Sequence, residues 1–67
     1  MSKITQKEIK NNEYFQDADA YWMEKYGESI MDELIYISQG KNISDEEGRE
    51  NVIEFMKRQA AKQKKGR

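Results

Sequence analysis

Residues 44–58, SDEEGRENVIEFMKR, decide the fold. Ser44 is an N-cap residue whose hydroxyl can accept from a backbone amide of the first turn. Glu47 stands at the third helical position of a capping box, and Asp45 and Glu46 add negative charge at the positive end of the helix dipole. A helix is therefore predicted to start at Asp45. Val52, Ile53, Phe55, Met56 and Ala60 fall on one broad face, while Glu46, Glu50, Glu54, Lys57 and Arg58 lie largely outside it. This is the pattern of an amphipathic surface helix over residues 45–62. Its last turn is cationic, as the dipole prefers, and Gln63 to Arg67 are expected to fray.

Immediately upstream, GKNI at residues 40–43 reads as a turn. Before it, Ile30, Leu34 and Ile37 recur at helical spacing, joined by Met31 and Ile35. Further back, Ala18, Trp22 and Tyr26 recur every four residues behind Asp17, which reads as an N-cap, with Asp19 beside the positive end of the same dipole. The two apolar faces are offset by more than about 90° at 100° per residue. One straight helix cannot keep both against a single core, so the segment 18–39 is either one kinked helix or two. The break is placed near Gly27, the residue best suited to a left-handed C-cap. A short connection makes neighbouring helices antiparallel, which predicts an αα-hairpin of 28–39 with 45–62 and the aromatic segment 18–26 across its open side. At the N-terminus, TQKE at residues 5–8 is a second capping box, and Ile4 and Ile9 occupy the positions of a hydrophobic staple, so a short helix is expected over about 6–13. There is no internal repeat and no alternating strand pattern. The reading is all-α: one domain, 1–67, of three or four helices built on an antiparallel hairpin, with 1–16 a marginal, mobile N-terminal helix and 57–67 a basic C-terminal tail.

A chain of 67 residues buries little apolar surface. One core of this size rarely supplies more than about 3–5 kcal/mol, and small proteins usually add disulfides, a metal or oligomerisation. Cys and His are both absent, which leaves oligomerisation or partner binding as the expected supplement. The lack of Cys fits a reducing compartment, and no apolar run approaches a membrane span or the core of a signal peptide, so a cytoplasmic location is expected. The net charge of −1 conceals a strong asymmetry. Residues 13–54 hold twelve carboxylates against Lys25, Lys41 and Arg49, a net of nine negative charges. Residues 57–67 carry six cations and no acid.

Catalysis requires a nucleophile, a tuned acid or base, or a metal, held in a concave site. The sequence has no His, no Cys, no phosphate-binding glycine loop and no zinc spacing. Asp17 with Asp19, and Asp45 with Glu46 and Glu47, could in principle hold a cation, but they stand at predicted helix starts, where acids are favoured for stability alone. No enzyme activity, cofactor, metal or small-molecule substrate is expected. Among the aromatics, Trp22 and Tyr26 are assigned to the core. Tyr14, Tyr21 and Tyr36 do not share that face, and exposed tyrosine beside acids is the composition of a protein-binding surface. The cations Lys57, Arg58, Lys62, Lys64, Lys65 and Arg67 have the density that binds phosphate backbones through counterion release, without an aromatic of their own for base stacking. The plain alternative is a solubilising, dipole-matched helix end.

Residues 20–58, from Tyr21, Trp22, Tyr26, Gly27 and Ile30 through Leu34, Ile35 and Ile37 to Gly40, Arg49, Val52, Ile53 and Met56 to Arg58, resemble helical-hairpin segments of small phage proteins, including small terminase subunits. The shared features are a helix led by Gly, a short polar turn, and an Arg-bearing amphipathic helix ending in a basic segment. The resemblance implies a phage or prophage protein that forms homo-oligomers, acts in the host cytoplasm, and touches DNA through Lys57, Arg58, Lys62, Lys64 and Lys65. Three functions are thus on the table. The first is a non-catalytic protein-protein interaction module that binds itself or a host or viral protein through Tyr14, Tyr21 and Tyr36. The second is a DNA-binding or packaging accessory that uses the basic tail. The third is an acidic nucleic-acid mimic that occupies a basic groove on a host protein.

Overall fold

The computed structural model describes residues 4–40 and 42–65, and these form four helices with no strand among them. They are α1 (Gln6–Lys10), α2 (Phe15–Tyr26), α3 (Met31–Ser38) and α4 (Asp45–Lys65). The protein is all-α. At 21 residues α4 is about 31 Å long, and it sets the long axis of a body measuring 38 × 20 × 20 Å.

Both capping signals are present as local structure. At α1, the Glu8 amide donates to Thr5 Oγ1 at 3.2 Å and the Thr5 amide donates back to Glu8 Oε1 at 3.4 Å. At α4, the Glu47 amide donates to Ser44 Oγ at 3.0 Å. Gly27 ends α2 in the left-handed region, with φ at 74°, and its amide donates to the Met23 carbonyl at 2.9 Å. Residues 18–39 are therefore two helices, divided where the offset of the apolar faces requires it.

The other boundaries differ from the sequence reading, each for a local reason. α1 stops at Lys10, and the chain turns through Asn11 and Asn12, whose side-chain oxygen accepts from the Tyr14 amide at 2.8 Å. That turn lets α2 begin at Phe15, so Asp17 lies inside the first helical turn and is not the cap. Asp19 does not serve the start of its own helix. Its Oδ1 accepts from the Ile30 amide at 3.1 Å and from the Ser29 hydroxyl at 3.3 Å, so a side chain of α2 caps the start of α3. Within the expected 40–43 turn, Asn42 is left-handed, with φ at 63°. α4 runs to Lys65, past the expected end at 62, through strong helix formers.

The core forms on α4. Gly48, Val52, Met56, Gln59 and Ala60 of α4 are buried; the row Gly48, Val52, Met56 and Ala60, each four residues after the last, winds about 120° round the helix and stays covered because both α2 and α3 pack on α4. Val52 and Met56 form one cluster with Ile9 from α1, Ala18 from α2, Ile30 from the turn before α3, and Leu34 from α3. Trp22, Ile37, Ile53, Phe55 and Ile4 close the edges of this cluster as half-buried side chains. α3 packs on α4, but the more extensive contact is α2 along α4, so the α2–α4 pair and not an α3–α4 hairpin alone organises the bundle. Tyr26 departs from the core assignment: it is 53% exposed. A spacing of four residues drifts by 40° per step around a helix, which carries Tyr26 about 80° away from the buried Ala18.

α3 and α4 approach closely at Gly48. A Cβ built at Gly48 would lie 2.7 Å from the Ser38 carbonyl oxygen, so only glycine permits this crossing. Ser38 is itself buried, and its hydroxyl donates to the Ile35 carbonyl at 2.7 Å.

Two substitutions test this arrangement by urea unfolding. Gly48→Ala gains about 1 kcal/mol of helix propensity but must push α4 off a backbone carbonyl, and a net loss of about 1–2 kcal/mol is expected. Asp19→Ala removes the acceptor of the Ile30 amide and of the Ser29 hydroxyl, leaving Ser29 Oγ to accept from the Met31 amide at 3.2 Å, and should cost about 0.5–2 kcal/mol.

Candidate functional site

The strongest surface feature is an aromatic ladder on the second half of α2. Phe55 of α4 lies edge-on to Trp22, with ring centroids 5.6 Å apart, and Trp22 in turn lies against Tyr26 at 4.3 Å. The ladder runs from the half-buried α2–α4 seam to the exterior. At its outer end Tyr26 is joined by Met23, which is 48% exposed and one helical turn away. The adjacent side of α2 carries Tyr21, whose hydroxyl accepts from the Lys25 ammonium at 3.1 Å. Lys25 also lies 5.6 Å from the centre of the Tyr21 ring and 5.9 Å from that of Tyr26, within cation–π range of both. The Tyr21 hydroxyl holds the Lys25 pKa above its ordinary 10.5, so the ammonium stays charged throughout the neutral range.

The three tyrosines singled out in the sequence occupy three different settings. Tyr36, on α3, is 76% exposed and borders a shallow depression with Ile37, Gln39 and Gly40. Tyr21 is half-buried beside Lys25. Tyr14, half-buried in the turn before α2, borders a second depression, lined otherwise by Lys57, Ala60, Ala61 and Lys64 of α4. The structure thus unites one residue of the tyrosine set with two of the cationic set. It supplies the aromatic that the basic segment lacks in its own sequence, and only tertiary folding could reveal that pairing. Met23 has no signature in the sequence, because a lone Met on a helix carries no pattern by itself.

The basic segment is helix and not a free tail as far as Lys65. Lys57, Arg58, Lys62, Lys64 and Lys65 are all exposed on the second half of α4. Arg67 lies outside the described residues. At the opposite end of the molecule, Arg49 of α4 donates from Nη1 to Glu8 Oε2, tying α1 to α4 across 41 residues of sequence. The Arg49 hydrogen bond, followed by the Thr5 amide and hydroxyl, holds the Glu8 pKa below its ordinary 4.5 against the opposing effect of desolvation. Among the described residues no cluster of His, Cys, Asp or Glu is arranged to hold a metal ion, and no helix is long and apolar enough to cross a membrane.

With this geometry in hand, comparison with protein-family models, with curated proteins and with solved structures finds no match to the chain.

The Glu8–Arg49 contact predicts a pH dependence of definite sign. A carboxylate whose pKa is lowered on folding contributes stability that is present above its unfolded value and lost as pH falls through the folded value. The difference in thermal midpoint between the wild-type chain and Glu8→Gln should therefore be largest near neutrality and close as pH drops below about 4.5.

Proposed function

We propose that the protein is a non-catalytic protein-protein interaction module, acting by occupancy, whose contact surface is the outer end of the α2 ladder. The observation that carries this reading is the exposure of Met23 and Tyr26 on a rigid backing. Tyr26 is held against Trp22 and Trp22 against Phe55, so the ring is ordered before any partner arrives. Ordering a side chain on binding costs about 0.5–1.5 kcal/mol, and a ring already fixed by its neighbours avoids much of that cost. Large aromatic and Met side chains are also those enriched in interface cores. Tyr36 supplies a second exposed aromatic on α3. Lys25 places one cation beside this otherwise acidic stretch and favours a partner that offers an acid at the rim.

The partner in this reading is a second copy of the chain or another protein. A second copy is favoured by size, since so small a core gains from added burial. The resemblance of residues 20–58 to small phage proteins fits a self-associating protein working in a host cytoplasm, and the absence of Cys fits a reducing compartment.

The chain has one tryptophan, so Trp22 is an internal reporter of the surface it supports. As concentration rises, sedimentation equilibrium should show a discrete oligomer, while Trp22 emission shifts to shorter wavelength and becomes less accessible to acrylamide. Met23→Glu and Tyr26→Glu should abolish both changes while leaving helical circular dichroism intact. An oligomer that survives both substitutions would move the contact off α2, and monomers with unshifted emission at every concentration would remove self-association from the proposal.

A further inference from the structure

The depression at the far end of α4 has a different chemistry from the α2 ladder. Tyr14 reaches it from the turn between α1 and α2, and its backbone is fixed on both sides. The Tyr14 amide donates to Asn12 Oδ1 at 2.8 Å, and its carbonyl accepts from the Ala18 amide at 3.0 Å. Opposite stand Ala60, which is buried, and Ala61, which is exposed, two side chains too small to fill the space beside the ring. Lys57 and Lys64 flank them. Seven residues apart, they project from nearly the same side of the helix, about 10.5 Å from each other along its axis. The depression thus brings the open part of a tyrosine that otherwise packs on the core together with two small residues and two lysines. Arg58, Lys62 and Lys65 extend the cationic surface around the same half of α4, where residues 57–65 include no acid. The nearest acids in sequence, Glu13 and Asp17 around Tyr14 and Glu54 one turn before Lys57, bound it.

Dipole matching accounts for Lys62, Lys64 and Lys65, which lie in the last turn of α4. It does not account for Lys57 and Arg58, two turns further in, because the effect falls off within the last turn. Nor does it account for a tyrosine delivered from another part of the chain. An aromatic face set in a row of cations is the combination that binds single-stranded nucleic acid: the cations follow the phosphates and the ring stacks on an unpaired base. A duplex keeps its bases stacked inside and would use the cations alone.

We propose that Tyr14, Lys57 and Lys64, over the Ala60–Ala61 floor, form a binding site for single-stranded nucleic acid, in which one base stacks on Tyr14 and the two lysines take phosphates on either side. The site reads no base edges, so binding tolerates any sequence and is strongest at low salt. It lies apart from the α2 ladder and stands whether or not that surface binds protein.

The test is fluorescence anisotropy of an end-labelled oligothymidine titrated with the full chain over a range of salt. A duplex of the same length and polyglutamate serve as competitors. The single strand should bind more tightly than the duplex, and polyglutamate should compete poorly. Tyr14→Leu, which keeps apolar bulk and removes the ring, should weaken binding about 5- to 150-fold with the salt slope unchanged. Lys57→Gln combined with Lys64→Gln should reduce that slope by about 1.4, the value for two phosphates of a single strand. In the unaltered protein, addition of the oligonucleotide should shift the NMR signals of the Tyr14 ring and the Ala60 and Ala61 amides, a readout that does not depend on any variant folding. Absence of binding at low salt, equal affinity for duplex, equal competition by polyglutamate, or unshifted Tyr14 signals would each overturn the proposal.

Discussion

The fold depends on the packing of α2 and α3 along α4; α1 joins through its contacts with α2 and α3 and through the pairing of Glu8 with Arg49 of α4. Gly48, Val52, Met56 and Ala60 form a row with a small residue at each end and bulk in the middle. Its middle residues, Val52 and Met56, form a single cluster with Leu34, Ala18, Ile9 and Ile30. The glycine end allows α3 to cross with its last carbonyl nearly touching the α4 backbone. The alanine end leaves the open floor beside Tyr14. Most helical stability in a protein comes from packing of the apolar face, so the 21 residues of α4 are supported by what packs on them. The dependence is mutual: α1 has five residues and α3 eight, both well below the length at which an isolated helix holds in water.

The remaining contacts act as ties between elements that are close to independent in sequence. Asp19 reaches from α2 to the first turn of α3, and Glu8 serves both the cap of α1 and the Arg49 guanidinium of α4. Each uses a charged side chain to satisfy a helix terminus or a distant cation, and each spans a connection that the apolar core leaves loosely specified. The same economy separates two surfaces with distinct chemistry. The aromatic ladder of α2 rises from the α2–α4 seam in an acidic part of the chain, while the Tyr14 depression belongs to the cationic half of α4.

Signals confined to a few residues were legible in the sequence. The Thr5–Glu8 capping box, the Ser44 cap that starts α4 at Asp45 and the left-handed Gly27 follow from local hydrogen bonding and backbone sterics, and they stand in the structure where that chemistry puts them. Signals that depend on tertiary placement were not. Asp17 and Asp19 both looked like helix-start acids, and nothing near them in sequence indicates that Asp19 would cap α3. Tyr26 matched the four-residue spacing of Ala18 and Trp22, but the angular drift of that spacing takes it out of the core. Gly48 sits in a run of charged residues, where its role as the crossing point with Ser38 has no sequence signature. For the candidate surfaces, the tyrosine and lysine sets were visible as separate lists, and only the fold brings Tyr14 to Lys57 and Lys64.

Native-state hydrogen exchange followed residue by residue in increasing denaturant measures the dependence on α4 directly. If packing along α4 holds the fold together, the amides from Val52 to Ala60 are the slowest in the molecule, and those of α2 and α3 never outlast them, because neither helix persists once α4 opens. Amides of α2 or α3 that stay protected while those of α4 exchange would show that the bundle has a core of its own without α4, and would contradict this account.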